Sequence, residues 1–282
     1  MNYMLHLLAN FSMFTFIVSS LLGAGLGLTV AEIIAPLKRV KLDLYALLAN
    51  FIIIPAATYL IAYLLKVDPG LKAGLTIMAG CAGAPFLPKL VTVAKGKIAG
   101  AIGLMMLLML VTVIYLPLVL PLLITGLAIK PVAIAKPLIF YLLLPLATGL
   151  MIKAYLANLA AKAKPIIERL SSLSLILAGI LTLITSYQLF ISAWGTGVYN
   201  ALTIFTLISM IIGYLFGGNH PAEKIVSTLG CGARNIAAAL LIAATNFSDP
   251  RVSTVVLIGS LIQFVILFLT AFIWGKVNKE VF

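Results

Sequence analysis

Gly80-Cys81-Ala82-Gly83-Ala84-Pro85-Phe86-Leu87-Pro88-Lys89 interrupts an apolar run that would otherwise cross a bilayer as one helix. Two prolines three positions apart cannot both occupy a helix interior, because each removes a backbone N–H and drives its ring against the preceding turn. A break near 80–89 is therefore predicted inside the span 72–94. Lys89 closes the segment. A charged side chain at the centre of a membrane helix costs roughly 2.5–3.5 kcal/mol, so its presence points to a use.

A second segment has the same character. In Gly230-Cys231-Gly232-Ala233-Arg234-Asn235, two glycines and a polar pair weaken the middle of an apolar stretch and predict a break near 230–235. The shared Gly-Cys and the single cation in each make the two segments look like copies in corresponding positions. No acidic residue lies near Lys89 or Arg234 in sequence, and every other lysine and arginine falls in or beside a gap between apolar spans. Unwound backbone at membrane depth is tolerated only where protein buries it or where it lines a cavity. Paired broken helices therefore point to a binding site, and half-helix N-termini beside two cations suit an anion. The plainer readings are that both segments are kinks in packed helices, and that Lys89 snorkels toward Lys95, about 9 Å of helix away.

The rest of the chain places these segments in lipid. Of 282 residues, 63% are hydrophobic and 9% charged, with mean hydropathy +1.22, far from the roughly 25% charged composition of soluble domains. Apolar stretches of about twenty residues match the hydrocarbon core, and β-barrel alternation is absent. The fold class is all-α and polytopic, with nine spans expected near 10–30, 43–65, 72–94, 98–126, 135–157, 170–190, 197–217, 223–246 and 252–275. No removable signal peptide can be separated from the first span. With the C-terminus inside, the basic residues divide twelve to five: Lys38, Arg39, Lys41, Lys95, Lys97, Lys153, Lys162, Lys164, Arg169, Lys224, Lys276 and Lys279 inside, Lys66, Lys72, Lys130, Lys136 and Arg251 outside. That bias predicts a cytoplasmic C-terminus and an outside N-terminus in a cell membrane.

The net charge of +12 is explained by those loops; a basic, aromatic-interleaved polar face for nucleic acid is missing. Cys81 and Cys231 have neither a disulfide nor a zinc spacing, and His6 and His220 lie near span ends, so no metal or cofactor is expected. All seven acids, Glu32, Asp43, Asp68, Glu168, Glu223, Asp249 and Glu280, fall at or near the expected span ends. Thr182, Thr185, Ser186, Tyr187 and Gln188 form a polar run that either faces a substrate path or bonds its own helix. Gln263 reads as a contact to the crossover or a bond between helices. Trp194 and Trp274 read as interface anchors.

The chain resembles the bile acid:sodium symporter family, within the wider group of bile acid, arsenite and riboflavin transporters. The residues that carry the likeness are Leu22-Gly23-Ala24-Gly25-Leu26-Gly27-Leu28-Thr29, Ala49-Asn50-Phe51-Ile52-Ile53-Ile54-Pro55-Ala56, the first Gly-Cys break with Val93-Ala94-Lys95-Gly96, the span ending Leu116-Pro117-Leu118, and the second break followed by Ala237-Ala238-Ala239-Leu240. Their order, rather than any one motif, is the signal. The resemblance implies two inverted repeats, here 1–126 and 127–282, a core domain in which two broken helices cross at mid-membrane, and a panel domain that moves against it. Family members commonly have ten helices, so the first repeat is expected to be one helix short.

The departures concern the ion sites. Sodium-coupled members carry a Ser-Asn pair where Leu87 and Pro88 stand here, a glutamate where Gly230 stands and a glutamine where Arg234 stands; Ala101 and Met105 replace hydroxyl ligands. Asn235 remains, with Asn50 in place of a glutamine. Sodium needs several oxygen ligands, and this set supplies few. The expectation is a carrier of small organic anions, without sodium coupling, in which Lys89 and Arg234 stand in for the ions among Asn50, Gly83, Pro85, Pro88, Gly230, Asn235 and Gln263. A sodium- or proton-coupled symporter, the latter through exchange at Lys89, is the first alternative. A thiophilic, arsenite-type carrier using Cys81 and Cys231, or a channel, is the second. A membrane enzyme is disfavoured by the lack of H-E-x-x-H, G-x-S-x-G or an intramembrane acid pair.

Overall fold

In the computed structural model, residues 2–29, 31, 40–124 and 130–277 are described, and among them there are helices and connecting turns but no strand. Lys38, Arg39 and Lys279 of the inner-side charges, and the acids Glu32 and Glu280, lie outside the described residues. The helices are α1 (Asn2–Gly27), α2 (Val40–Leu64), α3 (Pro69–Gly80), α4 (Leu87–Val93), α5 (Ile98–Leu123), α6 (Pro131–Tyr155), α7 (Ala157–Ser192), α8 (Val198–Phe216), α9 (Pro221–Gly232), α10 (Ile236–Asn246) and α11 (Pro250–Val277).

Eight stretches among the described residues are long and apolar enough to cross a membrane, α9 and α10 counting together as one. The protein is an all-α polytopic membrane protein. The expected third span is α3 plus α4, neither of which has the length to cross alone. The expected sixth span, 170–190, begins much earlier: α7 starts at Ala157 and runs 36 residues, about 54 Å, longer than the roughly 30 Å hydrocarbon core.

Proline chemistry shapes several of these helices. Short π-helical turns at Ala49–Ile53 and Leu138–Leu143 end just before Pro55 and Pro145. The missing proline N–H frees a carbonyl one turn back, and the widened turn absorbs it. In the first broken helix the chain leaves α3 at Cys81, before either proline, and Pro88 sits in the first turn of α4, where a missing N–H costs nothing.

Two packed groups result. α1 lies along α6 and α7; Gly25 and Gly149 meet there, and a Cβ on either would strike the other helix's backbone, so small residues permit the close approach. The remaining helices pack around α9–α10, and the first half of α6 also touches α5 and α10. Pro221–Asn246 is almost wholly buried, whereas Ala157–Thr185 of α7 is mostly exposed, so the broken helix is the interior and α7 lies at the periphery.

Candidate functional site at the helix crossover

The two breaks touch through their backbones. The N–H of Asn235 donates to the carbonyl of Cys81 at 2.9 Å. Each break is also served by the long helix that follows it. From α5, the Thr112 hydroxyl accepts from the N–H of Ala82 and donates to its carbonyl, both at 3.1 Å. From α11, the Gln263 side-chain oxygen accepts from the N–H of Arg234 at 3.4 Å. One side chain from outside thus supplies partners that the unwound backbone lost, as burial away from water requires.

Arg234 is fully buried, and its guanidinium reaches both halves of the crossover. It donates to the carbonyl of Ala79, at the end of α3, at 3.3 Å, and to that of Cys231, at the end of α9. Its carbon lies 5.6 Å from the centre of the Phe205 ring. Both carbonyls belong to helix C-termini, where the last carbonyls lack intrahelical partners and carry the negative end of the dipole. A planar cation with several donors suits that place. Asn50 of α2 completes the surroundings, donating to Ala46 O at 2.9 Å and to the Cys231 sulfur at 3.1 Å.

Beside the crossover, between α1 and α7 on one side and α4, α10 and α11 on the other, lies a cavity of about 350 Å³. Lys89 enters it from α4 and Glu168 from α7. Ser19, Ser20, Ser171 and Ser172 supply hydroxyls, and Phe16, Phe86, Phe264 and Phe268 supply apolar wall. Ile236 and Ala237, at the start of α10, connect it to the crossover.

The family model for the sodium bile acid symporter family matches residues 14–193. The chain belongs to that family. Its members are membrane transporters, not enzymes, and this chain is a multi-pass membrane transporter. Among curated proteins no sequence matches it significantly. The matched stretch takes in the first break and stops before the second.

Within this symporter-family fold, the nine residues singled out from sequence separate into two places. Arg234, Asn235, Asn50 and Gln263 gather at the crossover. Lys89 and Pro85 line the cavity. Gly83 lies between, at φ +81°, with the backbone of Met109 where a Cβ would go. Pro88 holds the first turn of α4. The glycines of the second segment do not unwind it: Gly230 and Gly232 stay helical in α9, and a Cβ on them would strike Leu104, or Met210 and Leu267. They are there for close packing, and the break falls one residue later, at Ala233.

The two cations therefore do not share one pocket, since Arg234 is sealed in the crossover while Lys89 is exposed to the cavity. Glu168, assigned from sequence to a span end, lines that cavity, because α7 begins eleven residues before it. Thr112 gave no signal beyond being a hydroxyl in an apolar span. Cys81 and Cys231 are fully buried and do not line the cavity. In the polar run of α7, Thr185 donates to Leu181 O and Gln188 to Tyr187; Thr185, Tyr187 and Gln188 do not line the cavity. The side chains of Thr182 and Ser186 lie outside the described residues.

Proposed function

We propose that this transporter carries small organic anions by alternating access and does so without sodium. The observation that carries the reading is the Arg234 guanidinium, hydrogen-bonded to a carbonyl in the last turn of each half-helix, Ala79 and Cys231. In membrane carriers such half-helix C-termini and unwound carbonyls are where a coupling cation is held. A tethered cation that already satisfies these carbonyls leaves no ligand set to be filled and emptied each cycle. The residue pattern supports this, since Leu87, Ala101 and Met105 offer no side-chain oxygen where sodium-coupled relatives have ligands.

The cavity supports a carboxylate-bearing substrate. Lys89 provides a positive charge, Ser20 and Ser171 provide hydroxyls, and the phenylalanines accept an apolar body, while the hydroxyls of Ser19 and Ser172 donate to their own helices. Its volume of about 350 Å³ is at the small end of the usual range for small-molecule sites, about 300–1,000 Å³. Because the cavity lies between the α1–α6–α7 group and the crossover group, rocking one group against the other would open it to the two sides in turn. Uptake of organic acids into proteoliposomes, with sodium replaced by a large organic cation, tests the reading. Unchanged saturable uptake is expected, and a steep sodium requirement would overturn it.

A further inference from the structure

The cavity has two charged walls of opposite sign, on elements that belong to different helix groups. Lys89 comes from α4 of the crossover group, and Glu168 from α7, whose partner α1 carries Gly23 beside the Glu168 stem. Among the described residues, no hydrogen bond or ion pair engages the Lys89 ammonium or the Glu168 carboxylate. Charges that face a mostly apolar cavity gain from a partner, and here the two face one small space without pairing with each other.

A simple organic anion would satisfy only one of them. Its carboxylate would neutralise Lys89 and then stand opposite the Glu168 carboxylate in a volume of about 350 Å³ with mostly apolar walls, where like charges repel more strongly than in open solvent. A substrate with a carboxylate at one end and a protonated amine or guanidine at the other pairs both walls. It also leaves the loaded cavity neutral, so that the membrane potential does no work on the load, which fits a carrier that binds no coupling ion. We propose that the substrate class is zwitterionic: an amino-carboxylic acid whose carboxylate meets Lys89 and whose cationic group meets Glu168, with an apolar chain along the phenylalanine wall. This rests on the reading of the cavity as a carboxylate site.

The test uses the full-length protein in detergent and two homologous series. One is the ω-amino acids from glycine to ε-aminocaproic acid; the other is the plain acids from acetic to caproic, matched in carbon count. Binding is read as thermal stabilisation in wild type, Glu168→Gln and Lys89→Gln. The expected result is that one ω-amino acid binds wild type about tenfold or more tightly than its matched acid, that Glu168→Gln removes this preference, and that Lys89→Gln weakens both. If plain acids bind as well as amino acids in wild type and depend on Lys89, the zwitterion inference is wrong and the carboxylate site stands. If no acid of either series binds, both are wrong. Glu168→Gln and Lys89→Gln that melt as wild type does without ligand exclude a folding defect as the cause; if either melts lower, Glu168→Asp and Lys89→Arg, which keep the charge, must restore the respective preference or the inference fails.

Discussion

Arg234 and Ala79 lie 155 positions apart in sequence, and the guanidinium of one donates to the backbone carbonyl of the other at 3.3 Å within the buried crossover. The same group donates to Cys231 O, so one side chain ties the end of α3 to the end of α9. Removing it leaves two buried carbonyls without that donor, at about 1–3 kcal/mol for each one left unsatisfied.

Arg234→Ala is expected to lower the thermal midpoint of the detergent-solubilised protein by several degrees. Guanidinium at low millimolar concentration, below any denaturing effect, should restore part of the loss by entering the vacated space, while wild type should not respond. Arg234→Lys keeps the charge but lacks the planar fork and should fall between. A variant as stable as wild type would show that the tie contributes nothing.

Thr112 gives a cleaner measurement, because valine has nearly its shape. Its hydroxyl accepts from the N–H of Ala82 and donates to the carbonyl, and Thr112→Val takes away the donor of that buried carbonyl. The N–H keeps its bond to Gly80 O at 3.2 Å, so the expected loss is about 1–3 kcal/mol, from the one carbonyl left unsatisfied. Thr112→Ser retains the hydroxyl and should recover most of it. Equal stability of the valine and serine variants in denaturant titrations would show that Ala82 is satisfied some other way.

The fold was legible where the physics is local. Two prolines in ten residues announced the first break, and apolar stretches of span length announced the membrane helices. The second break is legible only in part: Gly230 and Gly232 predict a weakened helix, yet both are helical and serve packing against Leu104, Met210 and Leu267. Contacts between distant helices cannot be seen in a local pattern. The same limit hid Glu168, whose place depends on how far α7 extends beyond the bilayer and which face it turns to α1. Thr112 was equally silent, since a threonine in a membrane helix more often bonds its own backbone, as Thr58 and Thr206 do here.

Two glycines should respond oppositely to the same substitution. Gly83 has φ +81° and the backbone of Met109 in the path of a Cβ; Gly83→Ala combines a disfavoured backbone conformation with a collision that a rigid helix cannot relieve. A loss of at least about 2 kcal/mol is expected, from strain of about 1–3 kcal/mol plus the displacement of α5. Gly179 is inside α7 with nothing within 4 Å of its Cβ position, and Gly179→Ala should stabilise by about 0.5–1 kcal/mol through helix propensity. Thermal midpoints of the two variants, measured side by side, check both signs.

The loop before α11 is held by an ion pair that responds to acidity. Asp249 accepts from the Arg251 backbone N–H at 2.9 Å and pairs with its guanidinium at 2.7 Å, while Arg251 also reaches Asp68 at 3.4 Å, the residue that caps α3 at Gly70. Partial burial pushes the Asp249 carboxyl up, but the Arg251 hydrogen bonds and charge outweigh it and hold the group below its usual range. A group depressed in the folded state contributes fully above its unfolded value, about 3.9, and the contribution is lost as pH falls through the folded value. Stability should therefore drop as the pH is lowered below about 4, and Asp249→Asn should lower stability at neutral pH and remove that part of the slope. The pair is about one-third exposed at Asp249, so the effect should be less than about 1 kcal/mol and should shrink with added salt. Melting curves of wild type and Asp249→Asn across the acid range, at low and high ionic strength, decide it: parallel curves would mean that Arg251 and Asp249 meet without stabilising the fold.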